Sequence, residues 1–115
     1  MLDVGCGTGK TACYMSRTYG CSVIGVDVSE KMVRWSTQRA ERGGLKDKVQ
    51  FRVADAQELP FEDESFDCVM SESVLAFVPD RRRAIEGYTR VVRNGGYVGL
   101  NEAFRAESRR GRCDP

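Results

Sequence analysis

The sequence contains no histidine. That absence removes the usual Ser-His and Cys-His nucleophilic arrangements, and every zinc site built on imidazole. Long hydrophobic runs are missing too, and no stretch approaches the roughly 20 apolar residues that a membrane-spanning helix needs. No basic start followed by an apolar run marks a secretory leader, since Met1 leads straight into Leu2-Asp3-Val4-Gly5. An overall excess of charge is also lacking. The formal net charge is +1, which speaks against a dedicated nucleic-acid binder. The five cysteines, Cys6, Cys13, Cys21, Cys68 and Cys113, form no Cys-x-x-Cys pair, and their spacings suit no common metal site. They read as reduced thiols of a cytoplasmic protein. The expectation is no metal, no membrane span and no nucleic-acid partner.

What is present is a globular composition, 41% hydrophobic and 30% charged, over the 115 residues of a single domain's length. Charge is unevenly spread along it. Residues 53–80 hold eight acids and no Lys or Arg, whereas residues 81–115 hold nine arginines and four acids. Such blocks read as solvated faces. Arg81-Arg82-Arg83 is read the same way, with an anionic acceptor or a lipid headgroup as the alternative. Residues 104–115, with Arg105, Arg109, Arg110 and Arg112 and almost no apolar content, are expected to form a basic, flexible tail behind a domain at 1–103.

Apolar runs and turn residues alternate regularly. The pattern predicts strands at 2–4, 22–26, 49–54, 66–70 and 97–100. Helices are predicted over 8–19, with Ala12, Met15 and Tyr19 in register, and from the N-cap Ser29 to Gly43-Gly44. A third runs from Pro79-Asp80 to Asn94-Gly95-Gly96, with Ala84, Ile85, Tyr88, Val91 and Val92 as its apolar stripe. Strands alternating with helices imply right-handed crossovers between parallel strands, hence a doubly wound α/β sheet of about five strands.

Between the first strand and first helix lies Asp3-Val4-Gly5-Cys6-Gly7-Thr8-Gly9. Glycines there allow a tight turn and let the backbone approach a ligand at the sheet's carboxyl end. The dinucleotide fingerprint fails because Lys10 stands where its third glycine belongs. Gly9-Lys10-Thr11 imitates a phosphate-binding loop, but that motif's first glycine falls on Val4, and no later strand offers a convincing magnesium-holding Asp.

Four stretches in order do fit one pattern. They are Leu2 to Gly9; Val23-Ile24-Gly25-Val26-Asp27-Val28-Ser29 with Met32; Val53-Ala54-Asp55-Ala56 followed by Leu59-Pro60-Phe61 and Ser65-Phe66-Asp67; and Arg90-Val91-Val92-Arg93-Asn94-Gly95-Gly96-Tyr97. Over about residues 1–103 the sequence resembles the class I S-adenosylmethionine-dependent methyltransferases, departing from them at Asn94, where proline is usual. The resemblance implies S-adenosyl-L-methionine as cofactor and a Rossmann-like core.

This ligand carries a ribose diol, a sulfonium and an amino-acid head, but no phosphate. A site for it wants a carboxylate at the ribose and close backbone approach, without a phosphate-binding cation. Asp27 can accept from both ribose hydroxyls, although it could also cap the turn at Ser29. By resemblance, Gly5, Cys6, Gly7 and Gly9 carry the loop beneath the methionine portion, and Asp3 accepts from its ammonium. Asp55 and Ala56 meet the adenine edge, Val28 and Met32 its faces, and Ser71 the methionine moiety; a turn acid and a core Met are the bland alternatives. Methyl transfer is a direct displacement in which the protein mainly aligns the reactants. If the acceptor must lose a proton, Glu72 is the catalytic candidate, set against its reading as a surface acid.

Domains of the resembled family normally begin with a helix before the first strand and add two strands after the fifth. These segments are expected to be missing here, leaving most cofactor residues and few specificity elements. The implied partner is a small organic or lipid-like acceptor, with self-association through an exposed sheet edge. Two readings compete, a non-catalytic binding module of the same fold and, more remotely, a P-loop nucleotide hydrolase.

Overall fold

In the computed structural model, which describes residues 1–101, the three apolar-flanked residues Leu2–Val4 form a fully buried first strand, β1. The chain continues as α1 (Lys10–Tyr19), β2 (Val23–Asp27), α2 (Glu30–Arg42), β3 (Val49–Val53), β4 (Phe66–Glu72), α3 (Arg81–Val91) and β5 (Val92–Asn101). All five strands are parallel, in the order β3-β2-β1-β4-β5. The doubly wound sheet follows the alternation in the sequence. The basic tail expected at 104–115 lies outside the described residues.

Two apolar clusters hold the layers together. Alternation along β1 and β2 sends Leu2, Val4, Ile24 and Val26 to one face, where they pack with Phe66, Val69, Ala84, Tyr88 and Val91. Val23 and Val49 form the second cluster with Ala12, Cys13 and Ala40. The buried residues of α1 are the small Ala12, Cys13 and Ser16. The predicted stripe on Met15 and Tyr19 is therefore displaced, with Tyr19 exposed. Small side chains let the helix lie close to the sheet.

Helix ends show where local signals act. The structure starts α1 at Lys10 rather than residue 8, because Gly9 is left-handed (φ 80°). Gly20, also left-handed, closes it by donating its N–H to Ser16 O. Ser29 caps α2 as predicted, accepting from Met32 N, and Asp80 caps α3 by accepting from Arg83 N at 3.1 Å. The end of α3 differs from expectation. Val92 turns extended, and Asn94-Gly95-Gly96 lies inside β5 instead of ending the helix. There the register with β4 slips between Phe66 and Cys68, and Gly95 takes φ 79° in the irregularity. A Cβ on Gly96 would meet Asp67 O at 2.6 Å, so the strands approach closely at this point. Ile85, placed on the buried stripe by periodicity, is on the exposed side.

Among the described residues, no helix is long and apolar enough to cross a membrane.

Candidate functional site

Sheet order reverses between β1 and β4, and the carboxyl ends of such strands form a crevice. A cleft of about 400 Å³ lies there. Of the residues singled out from sequence, Gly5, Asp27, Val28, Asp55, Ala56 and Glu72 line it. Sequence reasoning missed Val4, Ala54, Gln57, Ser73, Val74, Phe77, Val78 and Pro79, which line it too. The apolar run before Pro79 was the available signal for the last four. Gln57 had none; its Oε1 accepts the Asp80 amide at 3.0 Å, tying the β3–β4 loop to the start of α3.

The glycine loop is tied to β2 at several points. Gly5 N and Cys6 N both donate to Val26 O, at 2.8 and 2.9 Å. Asp27 Oδ2 accepts from Gly7 N and its Oδ1 from Ser29 N, each at 3.0 Å. The carboxylate thus fastens the loop at the rim, as well as the turn into α2, and further acceptor capacity remains on its oxygens. Behind the loop, the buried Ser36 hydroxyl lies 2.6 Å from Gly7 O and 2.8 Å from Met32 O, sharing its one proton. Arg39 Nε donates to Thr8 O at 3.0 Å. A Cβ on Gly9 would fall 2.9 Å from Ser36 Cβ and 3.0 Å from Phe51 Cζ, so this glycine serves close packing behind the loop.

Other candidates sit off the cleft lining. Cys6 spends its N–H on Val26 O and its carbonyl on Gly9 N, while its buried thiol lies 4.0 Å from Ser36 Oγ. Burial chiefly, with Asp3 and Asp27 adding, pushes that thiol up to about 12, leaving it protonated. Gly7 and Gly9 shape the loop without facing the cleft. Met32 is half-buried on α2 and away from the lining. Ser71 is buried, its hydroxyl 3.0 Å from Tyr88 Oη. It borders a second cleft of about 360 Å³ with Met70, Leu100 and Asn101.

Asp3 lies in the strand beneath the lining, 3% exposed, and its Oδ2 has no hydrogen-bond partner among the described residues. Burial, then the Glu72 and Asp27 carboxylates, push it up to about 7. Glu72 is exposed, borders both clefts, and accepts from Asn101 Nδ2 at 3.4 Å. Asp55 is exposed and holds a turn, its Oδ1 accepting from Gln57 N at 2.9 Å. Val28, 70% exposed, offers a bare aliphatic surface at the rim.

Among the described residues, the cleft lining holds three carboxylates and no Lys or Arg. Together with a left-handed Gly5 and the unpartnered Asp3 oxygen, that donor set fits a phosphate-free nucleoside carrying positive charge. Fold and site define an α/β nucleoside-cofactor domain. The methyltransferase domain family matches residues 2–100, and the chain belongs to it. It is 40% identical over 102 residues to 27-O-demethylrifamycin SV methyltransferase of Amycolatopsis mediterranei, a match covering 89% of this chain and 38% of that protein. Norajmaline N-methyltransferase of Rauvolfia serpentina is 36% identical over 98 residues, covering 85% and 34%. Among solved structures, the [4+2]-cyclase SpnF superposes with a TM-score of 0.86 at 36% identity, covering 88% of this chain and 37% of its own. A geranyl diphosphate methyltransferase in complex with S-adenosylmethionine gives 0.80 at 29%, covering 85% and 40%. The chain thus spans about two-fifths of the length of the proteins it matches. S-adenosylmethionine is the cofactor of this family, and the dinucleotide and P-loop readings of the glycine loop give way to it.

Proposed function

We propose that residues 1–103 form the S-adenosylmethionine-binding core of a methyltransferase acting on a small organic or lipid-like acceptor. The observation that carries this reading is the glycine loop fastened through Gly7 to Asp27, at the rim of a cleft lined by acids and apolar groups. When bound, S-adenosylmethionine supplies a methyl group on a sulfonium that leaves readily. Asp27 accepts from the ribose hydroxyls with its spare lone pairs, and Val28 packs against the adenine. Asp55 and the Ala56 amide meet the adenine edge. Gly5 lets the backbone pass close beneath the methionine portion, and Asp3 accepts from the ammonium. Glu72, between the two clefts, takes a proton from an acceptor that must lose one. Calorimetry with S-adenosylhomocysteine and S-adenosylmethionine tests binding; no heat from a demonstrably folded chain counts against it. Acceptor-dependent release of S-adenosylhomocysteine across an acceptor panel tests turnover.

SpnF favours a second reading, because a [4+2]-cyclase shares this architecture. The chain would then bind the cofactor without methylating anything, and acceptor-dependent turnover would sink that idea. As partner, we infer self-association along β5, which among the described residues is an edge strand bearing Tyr97, 75% exposed, and the exposed Leu100. Sedimentation equilibrium that gives the monomer mass at every protein concentration refutes it. The free thiols of Cys6, Cys13, Cys21 and Cys68 support a cytoplasmic setting.

A further inference from the structure

The carboxyl ends of β1, β2 and β4 bring Asp3, Asp27 and Glu72 into one cluster with no compensating cation among the described residues. Asp27 is satisfied by two backbone amides, and Glu72 is exposed and takes a hydrogen bond from Asn101. Asp3 differs from both. It is 3% exposed, with an oxygen sealed from solvent that has no partner among the described residues. The groups acting on it are Glu72 from β4 and Asp27 from β2; the Cys6 thiol, beside it on the loop, stays protonated. On the helix side, Lys10 at the start of α1 is exposed and Tyr88 of α3 is bonded to Ser71. An ionised carboxylate so placed is costly, because it has lost water and faces two like charges.

Resting on the reading of this cleft as the S-adenosylmethionine site, we propose that binding is a proton exchange: below neutral pH Asp3 is neutral in the free protein and releases its proton when a ligand ammonium arrives. Asp3–COOH and R–NH₃⁺ give Asp3–COO⁻···⁺H₃N–R, and one proton passes to solvent. The arriving cation supplies the partner that the fold withholds. Affinity for an amino-acid-bearing nucleoside therefore rises with pH up to neutrality and levels off, the deprotonated state being the one that binds. A nucleoside without the amino-acid head has no such dependence. The cleft selects against it most strongly above neutral pH, where Asp3 is charged and unpaired.

The experiment is calorimetry of the full 115-residue chain at pH 6 and pH 8, in phosphate and in imidazole, whose ionisation heats differ widely. The ligands are S-adenosylhomocysteine and 5′-methylthioadenosine, which keeps the thioether and lacks the amino acid. With Asp3 titrating near 7, roughly 0.9 proton is released per S-adenosylhomocysteine at pH 6 and about 0.1 at pH 8. Methylthioadenosine releases none at either pH. Asp3→Asn is expected to bind S-adenosylhomocysteine more weakly and with no proton release; should that variant not fold, the methylthioadenosine comparison carries the test. S-adenosylhomocysteine binding with equal heats in both buffers at pH 6 overturns the proposal while leaving the site intact. Equal proton release by both ligands, or continued release from folded Asp3→Asn, overturns it by placing the proton elsewhere. Failure of S-adenosylhomocysteine to bind at either pH removes the site reading itself.

Discussion

Gly5 joins the glycine loop to the segment after β4, and replacing it by alanine separates two costs. Its φ of 74° is left-handed, where an L side chain costs about 1–2 kcal/mol. The added Cβ would also drive into the Cγ2 methyl of Val74, well inside van der Waals contact. Overpacking of that kind costs about 1–3 kcal/mol. Together they predict about 2–5 kcal/mol of destabilisation for Gly5→Ala, a sizeable share of a typical domain's 5–15 kcal/mol or so. Val74 is half-buried, so Val74→Ala by itself should cost about 1 kcal/mol. In the double variant the collision disappears and only the backbone cost and the lost methyls remain. The two changes should therefore couple favourably by about 1–3 kcal/mol. Urea unfolding of the wild type, both single variants and the double variant, followed by far-ultraviolet circular dichroism, measures the cycle. Simple additivity, within about 0.5 kcal/mol, would mean that the β4–α3 segment does not rest on Gly5. The packing described for the cleft would then be wrong.

Three further perturbations probe other parts of the site. Asp27→Ala removes the acceptor for Gly7 N and Ser29 N and should cost about 1–3 kcal/mol in stability, with a comparable loss in S-adenosylhomocysteine binding; unchanged affinity by calorimetry would remove its ribose role. Asp3 keeps a proton in the folded chain up to about pH 7, whereas the unfolded chain releases it near 3.8, so this group makes stability fall as pH rises between about 4 and 7. Asp3→Asn should flatten that slope and be more stable than wild type by up to roughly 4 kcal/mol above pH 7; parallel unfolding curves at pH 5 and pH 8 for both proteins would contradict it. Arg90 donates to Phe61 O at 2.7 Å and Leu59 O at 2.9 Å, and pairs with Asp63 at 2.9 Å, pinning the β3–β4 loop that carries the cleft residues Asp55 to Gln57. Arg90→Ala should cost about 1–2 kcal/mol and speed amide exchange in that loop, and unaltered exchange would show that the loop is held by other contacts.

Much of the architecture was legible because its signals are local. Strand and helix alternation, the Ser29 cap and the glycines before α1 each act through a few neighbouring residues. Boundaries failed where a distant partner intervened. Asn94-Gly95-Gly96 reads locally as a helix end, but pairing with β4 draws it into β5 as an irregularity. The stripe on α1 shifted because contact with the sheet favours Ala12, Cys13 and Ser16 over longer side chains.

Within the site, sequence alone determined the glycine loop and the acid at the end of β2, since each follows from residue type at a strand's carboxyl end. Only the tertiary structure decided how those groups are used. It turned Cys6 toward Ser36, bonded Ser71 to Tyr88, kept Met32 off the lining and brought Val74 to Pro79 over the loop. Those contacts join residues 17 to 69 positions apart, beyond the reach of any local propensity. The state of Asp3 depends most completely on the fold. As a sequence letter it is an ordinary acid, and burial beside Glu72 and Asp27 makes it a group that holds its proton near neutrality.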